Sequence, residues 1–177
     1  MGIPVLILGE SGTGKSASLR NFTGEEIFAD ALKLIKQPSI IIDDAQYIMA
    51  NAFMQQAMDK GFDKFTLMGK SFFDIIETCK SLPTEKIIYF LMHTESADGI
   101  IRAKTIGKLL NEKITLEGKF TICLRTCVHD GGYFFSTQNS GFDTVKTPIG
   151  MFETVEIPND LKNVDEKIRE YYFGGTK

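Results

Sequence analysis

Residues 3–16 read Ile3-Pro4-Val5-Leu6-Ile7-Leu8-Gly9-Glu10-Ser11-Gly12-Thr13-Gly14-Lys15-Ser16, and the fold class follows from them. Ile3 to Leu8 is a continuous apolar run closed by a glycine, the pattern of a strand buried on both faces, and Pro4 is tolerable because it lies near the start. Gly9 to Ser16 then matches G-x-x-x-x-G-K-[ST] at every fixed position, and Lys15 to Phe22 reads as a helix. Strand, glycine-rich turn and helix make an anion site, because successive N–H groups and the positive end of the helix can wrap a phosphate. Gly9, Glu10, Ser11, Gly12, Thr13, Gly14, Lys15, Ser16 and Ala17 are thus the candidate nucleotide cradle. Lys15 would reach the β and γ phosphates and the Ser16 hydroxyl would ligate Mg²⁺.

Outward from this stretch, strands alternate with helices. Ser39 to Ile42 is a second buried strand, ending in Asp43 and Asp44. Ala45 to Lys60 reads as a helix with Tyr47, Ala50, Met54, Ala57 and Met58 on one face and Gly61 behind it. A further helix is expected from about Leu67 to Lys80, where Phe72, Phe73, Ile76 and Cys79 recur at helical spacing before Pro83. Ile87 to Met92 is a third buried strand ending at His93. Thr94 to Lys104 is polar and reads as a loop, and Ile106 to Asn111 as a helical turn or two. Phe120 to Val128 and Tyr133 to Thr137 flank Asp130-Gly131-Gly132, a hairpin signal. Leu161, Val164, Ile168 and Tyr171 form the stripe of a last helix, capped by Asn159 or Asp160. The expectation is one α/β domain over residues 1–177: a mainly parallel sheet flanked by helices, with a C-terminal antiparallel hairpin extension.

A phosphate loop of this kind needs a carboxylate at the end of a neighbouring strand, and Asp43 is the metal candidate. Asp44 either polarises the attacking water or caps the helix that begins at Ala45. His93 ends the third strand on the side where α/β sheets bind ligands, which suits a γ-phosphate sensor; satisfying loop carbonyls is the plainer role.

Composition excludes several classes. The 177 residues are 43% hydrophobic and 24% charged, which is enough for one sizeable core and argues against disorder. No apolar run approaches the roughly 18 residues of a membrane span, and the early strand leaves no room for a leader; a cytoplasmic protein without a membrane partner is expected. The net charge of −3 gives the whole molecule no pull toward nucleic acid. Cys79, Cys123 and Cys127 are too few for a disulfide framework, and buried thiols suit them better than a metal site shared with His129.

Together with the phosphate loop, the segments IIIDDAQYIMANAFM (40–54), YFLMHTES (89–96), KTIGKLL (104–110), LEGKF (116–120) and YFFSTQNSGFDTVKTPIGMFE (133–153) resemble phage-encoded ATP-binding proteins with a minimal RecA-like core, some of them regarded as single-strand-annealing recombinases. The resemblance implies an Mg²⁺-dependent ATPase of DNA recombination or replication in the host cytoplasm. It further implies a homo-oligomer on single-stranded DNA, with a single-strand-binding protein as a further partner. It places a DNA-facing loop at Thr94 to Lys104 and a basic residue acting on the neighbouring subunit's γ-phosphate at Lys146. Of the basic stretch Arg102, Lys104, Lys108, Lys113 and Lys119, the first three are DNA-contact candidates, solvated lysines on a helix face being the alternative. Phe120 and Tyr133 are the nearby aromatic platforms.

One interval departs from that family. A second helical pattern, Ile27, Phe28, Ala31, Leu32 and Ile35, follows the first, and two successive helices leave the chain at the wrong end of a parallel sheet. A discontinuity is therefore expected between Phe22 and Ser39, near Phe28 to Asp30. Two rival functions stand beside the ATPase. One is a scaffold or regulator that binds ATP without useful turnover; the other is an AAA-type helicase loader, which needs an arginine finger, with Arg125 and Arg169 as weak candidates, and a C-terminal helical lid, which is too short here.

Overall fold

The computed structural model describes residues 1–19, 36–58, 60–61, 63–83, 85–106 and 109–174. Its strands are β1 (Ile3–Gly9), β2 (Ser39–Ile42), β3 (Ile87–Ala97), β4 (Ile100–Ala103), β5 (Ile122–His129), β6 (Gly132–Ser136) and β7 (Glu156–Pro158). The helices are α1 (Gln46–Gln55), α2 (Asp63–Ser81) and α3 (Leu161–Phe173). The sheet runs β2-β3-β1-β5-β6-β7, with β4 paired to β3. Its centre, β2-β3-β1-β5, is parallel; β6 and β7 extend it antiparallel. The protein is thus α/β with a mixed sheet.

The apolar run of β1 is continuous because both faces of the sheet are covered. Leu6 and Leu8 point into a core with Phe72, Ile76 and Cys79 of α2 and with Phe90 and Phe120. Val5 and Ile7 point the other way, onto Leu161, Val164 and Ile168 of α3. Asp160 caps α3, its carboxylate accepting from Lys162 N at 3.0 Å. At the edge of the sheet away from the phosphate loop, the Asp165 carboxylate accepts from Tyr89 Oη, Ser39 Oγ and Arg169 Nε, each at 2.8 Å, tying α3 to β2 and β3.

Three expectations need correction. Thr94 to Lys104 is not a loop: β3 continues to Ala97, turns at Asp98-Gly99 and returns as β4. Both turn residues have positive φ, 53° and 76°, as do Asp130 and Gly131 at 51° and 71° in the hairpin that was expected. Asp-Gly supplies the same turn at both places, and the polar strands hid the first because only part of each side is buried. The second correction concerns α1, which stops at Gln55 and buries Gln46 and Met49, while Tyr47, Met54 and Met58 are exposed. The expected face counted apolar residues, but contact with α2 selects the face that holds Met49 and Phe53, whose ring lies 5.7 Å from Phe65. Third, the helix expected at Ile106 to Asn111 is a π-helical segment, Leu109–Ile114, followed by a 3₁₀ turn at Leu116–Lys119. After the phosphate loop a 3₁₀ turn spans Ser16–Leu19; the expected continuation to Phe22 and the discontinuity near Phe28 to Asp30 lie outside the described residues.

Candidate functional site

Parallel register puts Gly9 at the end of β1 beside His93 in the middle of β3, and β2, on the other side of β3, ends at Ile42 opposite Phe90, which brings Asp43, Asp44 and His93 to residues 9–16. Gly12 and Gly14 sit at φ of 79° and 88°, a region closed to most side chains, which is how the loop curls back. Lys15 is buried, and its Nζ donates to the carbonyl oxygens of Gly9 and Glu10, both at 3.0 Å. Burial lowers the Lys15 pKa, and the carboxylates of Asp44 and Asp43 partly oppose this. Thr13 Oγ1 pairs with Thr126 Oγ1 on β5, which itself donates to Leu8 O at 3.2 Å, so β5 braces the loop.

The carboxylates divide their work. Asp43 Oδ2 accepts from Ser16 Oγ at 3.0 Å, and Asp43 Oδ1 accepts from Asp44 N at 3.0 Å. Asp44 sits at φ 50°, one of the few conformations of this kind that aspartate tolerates. Its Oδ1 lies 3.2 Å from His93 Nε2 and accepts from Gln46 Nε2 at 3.3 Å. Gln46 Oε1 in turn accepts from His93 N at 3.1 Å. The helix-cap role of Asp44 does not hold, since the residue in the cap position of α1 is Ala45 and no side chain caps the helix. Asp44, His93 and Gln46 form a closed triangle, of which Asp44 and His93 line a cavity of about 340 Å³ together with Ser11, Gly12, Gly14 to Ala17 and Tyr133. A larger cavity, of about 560 Å³, lies between residues 150–158 and α3, away from these groups.

The donor set fits Mg²⁺. One hydroxyl and one carboxylate face each other beside the loop 9–16, and magnesium commonly takes one or two carboxylates together with phosphate oxygens and water. No cluster of three His, Cys, Asp or Glu side chains that would make a closed metal cage occurs among the described residues. Cys79 and Cys123 are buried thiols, pushed up to about 12 by burial, and His129 pairs with Glu156 at 2.9 Å, so neither the metal reading of Cys123 nor that of His129 gains support.

Of the remaining candidates, only Arg125 lies beside the loop among the described residues. Arg102 on β4 pairs with Glu95 at 2.9 Å, and Lys119 lies 3.4 Å from Glu77 and 4.3 Å from the Phe73 ring centroid. Lys104 and Lys113 are exposed and Lys108 lies outside the described residues, so among the described residues the basic run is no bare cationic face. Lys146 is exposed and bridges backbone-to-backbone with Cys123, back along β5 from the loop. Arg125 lines another cavity with Gly9, Glu10 and Thr13, its Nε 3.4 Å from Asp143 Oδ2 but without a hydrogen-bond partner among the described residues, whereas Arg169 is bound to Asp165, Ser39 and two carbonyls.

Sequence reasoning missed Gln46, Thr126 and Asn159. Gln46 follows the two aspartates by two and three residues, a spacing that offered a signal; Thr126 and Asn159 carried none, because only the sheet brings them to residues 13 and 14. Compared with protein-family models, curated proteins and solved structures, the chain matches none significantly.

Proposed function

We propose that the protein binds Mg²⁺-ATP on the loop Gly9–Ser16 and hydrolyses it, with a RecA-like arrangement of the site, in phage DNA recombination or replication. The observation that carries this reading is the meeting of Ser16 Oγ and Asp43 Oδ2 at 3.0 Å next to a loop that matches the phosphate-binding pattern. Lys15 would exchange the Gly9 and Glu10 carbonyls for phosphate oxygens, a substitution favoured by charge. Ser16 and Asp43 would hold the metal, which when bound offsets charge on the phosphoryl oxygens. Asp44 would accept a proton from an attacking water, its carboxylate oriented by the contacts with His93 and Gln46.

The oligomer on single-stranded DNA is part of the same proposal and rests on the resemblance of the segments at 40–54, 89–96 and 133–153. In it Lys146 acts on the neighbour's nucleotide. The deciding experiment is ATP hydrolysis with and without single-stranded DNA, in Mg²⁺ and in EDTA. Metal-dependent turnover raised by DNA supports the reading. ATP binding with no turnover in either case would favour the scaffold, a reading that the engagement of Lys15 by loop carbonyls and of Asp44 by His93 and Gln46 keeps in view.

A further inference from the structure

The cavity at the phosphate loop has two ends of different chemistry. Asp43, Asp44 and His93 come from β2 and β3, on one side of β1. Tyr133 opens β6 and Asn159 follows β7, on the other side. The two residues are joined, Asn159 N donating to Tyr133 O at 3.1 Å. Both press on the loop: a Cβ built on Gly14 would stand 2.8 Å from Tyr133 Cδ1 and 3.0 Å from Asn159 Nδ2.

Asn159 is only 3% exposed, yet neither its Nδ2 nor its Oδ1 has a hydrogen-bond partner among the described residues. A buried carboxamide with both ends unmet loses its water without return, so such groups need an explanation. Tyr133 is half exposed, and its side chain makes no hydrogen bond or ring contact among the described residues, so rotation of the ring away from Gly14 breaks none. Tyr133 lines the cavity and Asn159 lies beside it against Gly14, so a shift of the ring would be the route by which a ligand reaches the carboxamide.

We propose that Tyr133 and Asn159 form the base-recognition end of the site, with the base stacked on the Tyr133 ring and adenine selected by the Asn159 carboxamide. The proposal rests on the nucleotide reading above. With the terminal phosphate held on the side of Asp43, Asp44 and His93, the nucleoside leaves on the side of Tyr133. Adenine offers an N6 donor beside the N7 acceptor, matching Oδ1 and Nδ2 of one carboxamide; the same edge of guanine offers two acceptors and leaves Oδ1 unmet.

The test measures binding of the full chain with Mg²⁺, using a fluorescent ATP analogue displaced by ATP, GTP or inorganic tripolyphosphate. The wild type should prefer ATP to GTP by about tenfold or more, the usual discrimination of a paired carboxamide. Asn159→Ala, and the nearly isosteric but apolar Asn159→Leu if the alanine variant does not fold, should bring ATP to the GTP level. Tyr133→Ala should weaken both nucleotides by about five- to tenfold through lost stacking, while Tyr133→Phe keeps them. Tripolyphosphate binding should be unchanged in every variant. Equal ATP and GTP affinity in the wild type overturns the proposal, and so does a parallel loss of tripolyphosphate binding in the Asn159 variants. Both results leave the phosphate site standing. Absence of ATP and tripolyphosphate binding in the wild type overturns the nucleotide reading, and this proposal with it.

Discussion

Replacing Gln46 by leucine keeps the volume of a buried side chain and removes its two polar ends. One end accepts from His93 N at 3.1 Å, and without it a partly buried N–H is stranded; the other donates to Asp44 Oδ1 at 3.3 Å, a long bond to a charged acceptor. The stranded donor costs about 1 to 3 kcal/mol and the lost bond about 1, so Gln46→Leu should destabilise the fold by about 2 to 4 kcal/mol. For a chain of this size that corresponds to a fall in Tm of about 4 to 16 °C. Gln46→Glu tests the same geometry by charge. It restores the acceptor for His93 N but sets a second carboxylate against Asp44, which raises the pKa of the introduced group in the folded state. A carboxyl whose pKa is raised on folding favours the fold below its unfolded value, about 4.3, and loses that contribution as pH rises through the folded value. The stability gap between wild type and Gln46→Glu should therefore widen between pH 5 and pH 8. Urea and thermal unfolding followed by circular dichroism at both pH values measure it. A Gln46→Leu variant within about 0.5 kcal/mol of wild type, the range of an ordinary surface change, together with a pH-independent gap for Gln46→Glu, would refute the reasoning.

Lys15→Ala should abolish tight ATP binding, whereas Asp43→Asn should retain part of the binding and lose metal-dependent turnover; equilibrium binding and a phosphate-release assay separate the two. Asp165→Ala removes the common acceptor of Tyr89, Ser39 and Arg169 and should cost about 3 kcal/mol, the low end for a broken buried ion pair because Arg169 is partly exposed, as read by urea unfolding. His129 has its pKa raised by hydrogen bonds to Glu156 and then Asp130, so its NMR titration midpoint should lie above the ordinary value of about 6.5 and fall back toward it in Glu156→Gln. The contribution of that pair to stability is fully present below about pH 6.5 and is lost as pH rises through the raised value.

Much of this architecture is legible one strand at a time. β1, β2 and the buried half of β3 are apolar runs, aliphatic apart from Tyr89 and Phe90, because α2 covers one face of the sheet and α3 the other, so no polar alternation interrupts them. Where only one side is covered, local pattern misled. The second half of β3 is polar since it extends beyond the body of the sheet, and the stripe Tyr47-Met54-Met58 suggested a buried face that packing against α2 did not use.

By itself, the order of residues determined the glycine-rich loop 9–16, the carboxylates at the end of β2, the Asp130-Gly131 turn and the Leu161-Val164-Ile168 stripe of α3, though not the place of Tyr171, which is exposed. All of these depend on neighbours within a few positions, through backbone conformation and side-chain period. Tertiary structure alone decided that Thr126 braces Thr13 across 113 positions, that Gln46 links Asp44 to the backbone of His93, and that Tyr133 and Asn159 close over Gly14. The reason is the register of the sheet. Parallel strands bring their ends to one edge whatever the length of chain between them, and which side chains face each other there depends on the pairing of whole strands.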